Sequence, residues 1–303
     1  MKIIKLIEKN FVVVLVLSMV TGLFLPTLGK GHTNLIIPFF MVIFFLTCLK
    51  VDYLDVLSHI KKPLLMVYIL LMYLLVIPVV VYGIFTFINP GLALGMLLLV
   101  SVPPGTGAPL FTDLVKGNTS LSIAVSLLAY LFAPFSVSLL FFMFTNQSVQ
   151  LDLWGMMQTL MLVNFLPLFA AQVVRKMAKP LVTKTQSYFG VISLCLLFVL
   201  VYLAVSNQAH EIMTQSISSM FINIFWLYVL FIFVHIFGYF MAFRMKKEDK
   251  IALSVTKTYS NIGLAIGLAA TFFSPQILLL MVLAEAPWNT CLGIFKYFVK
   301  YLK

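Results

Sequence analysis

Charge is what this chain has least of. Only 10% of its 303 residues are charged and only nine are acidic, against 62% hydrophobic residues and a mean hydropathy of +1.11. A soluble domain of that composition would expose large apolar patches, so a water-soluble fold is excluded. Cysteine is scarce as well: Cys48, Cys195 and Cys291 lie far apart in apolar segments, which excludes a disulfide framework and a thiolate metal site. His32, His59, His210 and His235 have no metal-ligand spacing, and only His235 lies deep in an apolar run, where a hydrogen-bonded packing role is the plainer reading. The motifs of intramembrane enzymes are missing too. Without a Gly-x-Gly-Asp aspartyl pair, a His-Glu-x-x-His zinc helix or an Asp-rich magnesium run, the sequence lacks the tools for catalysis in the bilayer.

What is there is a series of apolar runs, each near the roughly 20 residues that a spanning helix needs. Ten can be read, near 11–28, 34–49, 63–88, 91–115, 119–145, 153–174, 187–206, 216–243, 251–273 and 276–297. The predicted fold is therefore an all-α integral membrane protein of ten transmembrane helices. Its amino terminus, Lys2 to Asn10 before an apolar run, lacks a clean small-residue cleavage site and reads as the start of the first helix. Val51 to Ile60 mixes Asp52, Asp55, Ser58 and His59 with apolar residues, as an amphipathic interfacial segment would.

The net charge of +11 would suggest nucleic acid in a soluble protein, but its placement says otherwise. In the ten-helix arrangement every Lys and Arg except Lys30 and Lys257 falls on one face. The positive-inside rule makes that face cytoplasmic, puts both termini there, and predicts a plasma-membrane protein whose surroundings are the lipid bilayer and not nucleic acid. A cut near residue 150 gives two halves of five helices, 1–150 and 151–303, and an odd number per half makes the second copy enter the membrane inverted.

The fourth helix of each half is interrupted. Pro103-Pro104-Gly105-Thr106-Gly107-Ala108-Pro109 breaks one, and Thr256-Lys257-Thr258-Tyr259-Ser260-Asn261-Ile262-Gly263 breaks the other. Irregular backbone at membrane depth survives only where it is buried in protein or lines a cavity. Paired interruptions at corresponding places mark a transport site. Two prolines remove N–H donors and two glycines let the backbone bend, so half-helices are expected, with N–H groups near Ala108 to Thr112 offered to an anion.

These residues resemble the bile acid:sodium symporter (BASS) family. Pro103-Pro104-Gly105-Thr106, Leu114-Val115-Lys116-Gly117-Asn118, Leu121-Ser122 and Ala133-Pro134 are similar to the family's Pro-Gly-Gly-Thr, Leu-Ala-Lys-Gly-Asp, Leu-Ser and Ala-Pro pattern, and Asn261-Ile262-Gly263-Leu264-Ala265 is similar to its Asn-Ser-Gly-Leu-Ala. The resemblance implies a core domain of helices 3–5 and 8–10 around two crossing broken helices, a panel domain of helices 1, 2, 6 and 7, and alternating-access transport of an organic anion, usually with sodium.

The departures bear on coupling. The family's Ser-Asn sodium ligands fall on Ala108-Pro109, and its ninth-helix glutamate falls on Thr256; slipping the register by one residue puts Lys257 there, and either way the carboxylate is lost. Ser122, Ser126, Thr256, Ser260 and Asn261 remain as side-chain oxygens for sodium. Lys257 adds a positive charge at bilayer depth, at an insertion cost of roughly 2.5–3.5 kcal/mol, and is functional by default. It is expected to replace the sodium charge, to neutralise substrate or pair with Asp113, or else to snorkel toward the cytoplasmic face. Asp113, close to Lys116, reads equally well as a solvated helix end. Glu285, inside the tenth helix, is a candidate proton or cation site.

The candidate site is thus Thr106, Gly107, Ala108, Pro109, Thr112, Asp113, Ser122, Ser126, Thr256, Lys257, Ser260, Asn261 and Glu285. No cofactor is expected, and the coupling ion is sodium or a proton. The expected substrate is a small organic anion, carried by a monomer or homodimer. An arsenite-type exporter is disfavoured because the fourth helix holds no cysteine.

Overall fold

Apolar runs build most helices of the computed structural model, which describes residues 11–52, 56, 62–145, 151–299 and 301. In chain order the helices are α1 (Phe11–Phe24), α2 (Ile36–Cys48), α3 (Pro63–Ile88), α4 (Pro90–Ser101), α5 (Ala108–Leu114), α6 (Thr119–Phe144), α7 (Leu153–Met177), α8 (Lys179–Asn207), α9 (Ala209–Met213), α10 (Ile217–Phe240), α11 (Lys247–Thr258), α12 (Ile262–Phe272), α13 (Pro275–Leu283) and α14 (Glu285–Val299). Proline opens α3 and α4, where a missing N–H costs nothing. Asn118, Ser216 and Asn261 cap α6, α10 and α12, accepting from the amides of Leu121, Ser219 and Leu264 at 3.1, 3.2 and 3.0 Å.

Among the described residues six helical stretches are long and apolar enough to cross a membrane: α3, α6, α7, α8, α10 and the run Pro275–Val299 that holds α13 and α14. Four shorter apolar helices accompany them, Val13–Phe24, Thr33–Cys48, Pro90–Ser101 and Ile262–Phe272. The chain is a multi-pass membrane protein. Most of the expected interfacial segment at 51–60 lies outside the described residues.

The chain divides into two compact units. The first holds Met1–Tyr53, Gln158–Gln215 and Ile266–Val282, and the second holds Leu54–Met157, Ser216–Ala265 and Leu283–Lys303. In the first, α1 packs on α8 so closely that a Cβ on Gly22 would lie 2.9 Å from Val205 Cβ. Tyr202 donates to Leu25 O at 2.7 Å, and Asn207 donates to Gly29 O while accepting from the Gly31 amide, both at 2.9 Å. The end of α2 is held from α7. Gln172 Nε2 donates to Val51 O at 3.2 Å, and Arg175 donates to Leu49 O at 2.9 Å and lies 3.7 Å from Asp52. Cationic side chains suit the carbonyl end of a helix.

In the second unit α10 and α11 approach until a Cβ on Gly238 would sit 2.9 Å from Ser254 Cα. Asn118 joins the starts of α6 and α11, its amide nitrogen donating to Asp249 at 2.7 Å and its backbone N–H to Glu248 O at 2.9 Å. The turn before it places Lys116 at φ 60°, and Gly117 fits against α11 only because it has no Cβ. Around these helices packs a core of Ala108, Val115, Tyr239, Ile251, Val255, Tyr259 and Phe295.

Candidate functional site

Both interrupted spans unwind where the sequence places prolines and polar residues. One leaves α4 at Val102 and re-enters a helix at Ala108; the other leaves α11 at Tyr259 and re-enters at Ile262. The two gaps meet in a short antiparallel bridge between Pro104 and Ser260. Gly105 N–H donates to Tyr259 O at 2.7 Å and Asn261 N–H donates to Pro103 O at 2.9 Å. Backbone groups freed by one break are thereby satisfied by the other, as membrane burial demands. A Cβ on Gly105 would stand 3.1 Å from Ser260 O, so this crossing needs glycine.

Side chains of two helices and of Asn261 brace the bridge. Tyr130 of α6 donates to Pro104 O at 2.6 Å, and Asn261 Nδ2 donates to the Tyr130 oxygen at 3.1 Å. Trp288 of α14 donates to Ser260 O at 3.2 Å. Phe111, Tyr259 and Trp288 form a mutual edge-to-face cluster with centroids 4.9 to 5.7 Å apart.

Lys257 is the most constrained charge in the unit. It is 5% exposed, which rules out snorkelling, and its ammonium pairs with no carboxylate, Asp113 included, among the described residues. Instead Nζ donates to Tyr73 O at 2.6 Å and to Val100 O at 2.5 Å, and sits 5.5 Å from the Tyr73 ring centroid. The Tyr73 hydroxyl donates in turn to Leu253 O of α11.

Both carbonyls are orphaned by proline. In an α-helix Val100 O would accept from residue 104, which is Pro104. α3 contains a π turn at Met72–Val76 in which Ile77 N–H reaches Met72 O, so Tyr73 O awaits residue 78, which is Pro78. Val100 and Lys257 also lie in the last turns of α4 and α11, where helix dipoles favour a cation. A cavity of about 10 Å³, lined by Val100, Leu230, Phe231, Val234, Lys257, Thr258 and Ser260 among others, has room for about one water.

The structure brings some of the expected residues together. Ser122, Ser126 and Tyr130 follow one another at helical spacing on α6; Thr256 donates to Ser122 Oγ at 2.7 Å, while Ser126 Oγ is buried without a hydrogen-bond partner among the described residues. Ser260 and Asn261 are in the bridge. Thr106 and Asp113 are exposed, and Gly107 and Pro109 are partly so. The expected anion cradle at Ala108–Thr112 is largely used up: Ala108 N–H donates to Gly105 O, Phe111 N–H to Gly107 O, both at 3.0 Å, and the Thr112 hydroxyl to Ala108 O at 2.8 Å. Glu285 starts α14 after a one-residue break at Ala284, in the middle of the spanning run Pro275–Val299, and Asn289 Nδ2 donates to its carboxylate at 3.2 Å.

Sodium fits this arrangement poorly. A hard cation wants several oxygens and negative charge, yet the carbonyl pair already holds an ammonium, and among the described residues no carboxylate bonds to the hydroxyls of Ser122, Ser126 and Thr256. No group of three or more His, Cys, Asp or Glu gathers among the described residues. Sequence reading missed Tyr73, Val100, Tyr130 and Trp288. Prolines at 78 and 104 were the available signal for the first two; nothing local announces a π turn.

The chain is 25% identical over 293 residues to "Uncharacterized protein YbaS" of Bacillus subtilis (strain 168), covering 92% of this chain and 93% of that one. It is 23% identical over 275 residues to "Uncharacterized sodium-dependent transporter YocS" of the same organism, covering 88% and 83%. Residues 9–284 match the model of the SBF-like CPA transporter family, and the chain belongs to that family.

Proposed function

We propose that this protein is a secondary active transporter of a small organic anion, working by alternating access at the crossing of its two broken helices, without sodium, and with Lys257 supplying the fixed positive charge. The observation that carries the reading is the buried ammonium on two backbone carbonyls beside the Pro104–Ser260 bridge. An intramembrane charge is costly and is retained for use. The anion class comes from the resemblance to bile acid:sodium symporters.

The reading extends to ten spans in two inverted halves, 1–150 and 151–303, in the plasma membrane with both termini cytoplasmic, acting as a monomer or homodimer without enzymatic turnover. Helices 3–5 and 8–10 form the moving core in this scheme and helices 1, 2, 6 and 7 the panel. The first compact unit gathers α1, α2, α8 and most of α7, which supports the panel, although it also takes Ile266–Val282 from the last two spans.

A second reading is sodium-coupled anion symport with a rearranged ion site. The name of the YocS relative and the unpartnered Ser126 hydroxyl favour it. Uptake of a panel of labelled organic anions into proteoliposomes, with sodium or choline outside and across pH, separates the two. Uptake that is saturable, unchanged by sodium and lost in Lys257→Ala supports the lysine reading; strict sodium dependence defeats it.

A further inference from the structure

We infer that the carbonyl oxygens of Tyr73 and Val100 form a receptor for a small monovalent cation, best matched by a primary alkylammonium, and that this chain fills it with its own Lys257. The inference deepens the transport reading at its fixed charge.

The two oxygens lose their helix donors to prolines and not to Lys257. Pro78 removes the N–H that Tyr73 O would meet in the π register, and Pro104 removes the one that Val100 O would meet in α4. Without Lys257 both oxygens would be buried acceptors with no donor, each costing about 1–3 kcal/mol in desolvation. The Tyr73 ring lies 5.5 Å from Nζ and adds a face that attracts a cation. The last turns of α4 and α11 bring the negative ends of two helices to the same place. The two oxygens accept from any donor, and the ring and the dipoles add a preference for one that carries positive charge.

Truncating Lys257 to alanine removes the Cγ, Cδ, Cε and Nζ atoms, a fragment with the shape of propylammonium. Thermal unfolding of the purified full chain is therefore followed for native protein and Lys257→Ala in propylammonium chloride, sodium chloride, choline chloride and neutral propanol. Lys257→Ala should melt below the native protein, and propylammonium should raise its melting point saturably, recovering at least half of the loss, because a ligand of the folded state stabilises it by mass action. Choline, too large, and propanol, uncharged, should do nothing specific, and native protein should not respond. Recovery with sodium as well counts for the receptor and shows that it also accepts a bare metal ion.

Equal responses to propylammonium, choline and propanol would overturn the inference. Should Lys257→Ala not fold in plain buffer, extraction in propylammonium against choline makes the same comparison: monodisperse protein in propylammonium alone supports the receptor, and equal yields, nil included, overturn it. Binding is read here without transport. Failure of uptake with retained rescue would sink the transport reading alone, and loss of rescue with retained sodium-independent uptake would sink the receptor alone.

Discussion

The Gly105 amide donates to the Tyr259 carbonyl at 2.7 Å, and a side chain on Gly105 would meet the Ser260 and Tyr259 carbonyl oxygens at 3.1 and 3.2 Å. Those neighbours are backbone atoms of the other break and cannot rotate away. Gly105→Ala should therefore push the two breaks apart and cost about 1–3 kcal/mol, the usual range for overpacking. Gly107 is the internal control, since its nearest neighbours are ring atoms of Phe111 and Trp288 at 3.5 to 3.8 Å. Gly107→Ala should stay within about 0.5 kcal/mol of native. Thermal unfolding of the two variants in detergent, with anion uptake measured in parallel, tests the contrast; equal melting points would contradict it.

Adjacent positions in the turn before α6 should respond with opposite signs. Lys116 holds φ 60°, a left-handed conformation that costs a non-glycine residue about 1–2 kcal/mol, so Lys116→Gly should raise stability by up to ~1 kcal/mol after its greater unfolded-state entropy is counted. A Cβ on Gly117 would lie 2.8 Å from Thr112 Cγ2, 2.9 Å from Ile251 Cγ2 and 3.1 Å from the Ala252 nitrogen. Gly117→Ala should lower stability by about 1–3 kcal/mol. Melting points that shift the same way in both variants would show that the turn is not set by these contacts.

The Thr256 to Ser122 hydrogen bond, 2.7 Å between two fully buried hydroxyls, ties α11 to α6. Thr256→Val keeps the volume but leaves the Ser122 hydroxyl with no donor, at a cost of about 1–3 kcal/mol. Adding Ser122→Ala should recover part of that loss, because removing both partners is nearly neutral. Uptake kinetics give a second readout. Ser122→Ala should leave uptake insensitive to sodium if Lys257 is the fixed charge, whereas a weakened apparent sodium affinity would favour the sodium-coupled reading.

How much of this could be read from residues depended on whether the signal was local. Pro103, Pro104 and Gly105 announce a break wherever they occur, and so do Ser260 and Asn261 within an apolar run, so both gaps were legible. That the two gaps cross was expected from the family resemblance, but their pairing through Pro104 and Ser260 had no local signal. Lys257 was visible as a charge out of place, but its partners were not, because they are backbone atoms of Tyr73 and Val100, more than 150 positions away in the chain. The break at Ala284 was hidden as well. Pro287 marks it in hindsight, since Leu283 O has no N–H to meet at that position, yet an isolated proline in a membrane helix reads first as a kink.

Hydrogen-bond direction around His235 fixes its tautomer and ties α10 to the crossing. Ser254 gives its one hydroxyl proton to His235 O at 2.7 Å, so the 3.1 Å contact between His235 Nδ1 and Ser254 Oγ must have the ring nitrogen as donor. In the neutral imidazole Nε2 is then the acceptor for the Tyr259 hydroxyl at 3.4 Å. Tyr259 is also the residue whose carbonyl receives Gly105, so His235 steadies the break through one intermediary. His235→Leu should cost about 1–3 kcal/mol, because it orphans the Tyr259 hydroxyl and removes a ring stacked on Phe295 at 4.2 Å. Tyr259→Phe should cost less, about 1 kcal/mol, since it deletes the donor of one long hydrogen bond. The double variant should be less destabilised than the two single losses added together, with a coupling of roughly 0.5–3 kcal/mol. Strict additivity in the thermodynamic cycle would mean that the His235 ring packs beside Tyr259 without holding it.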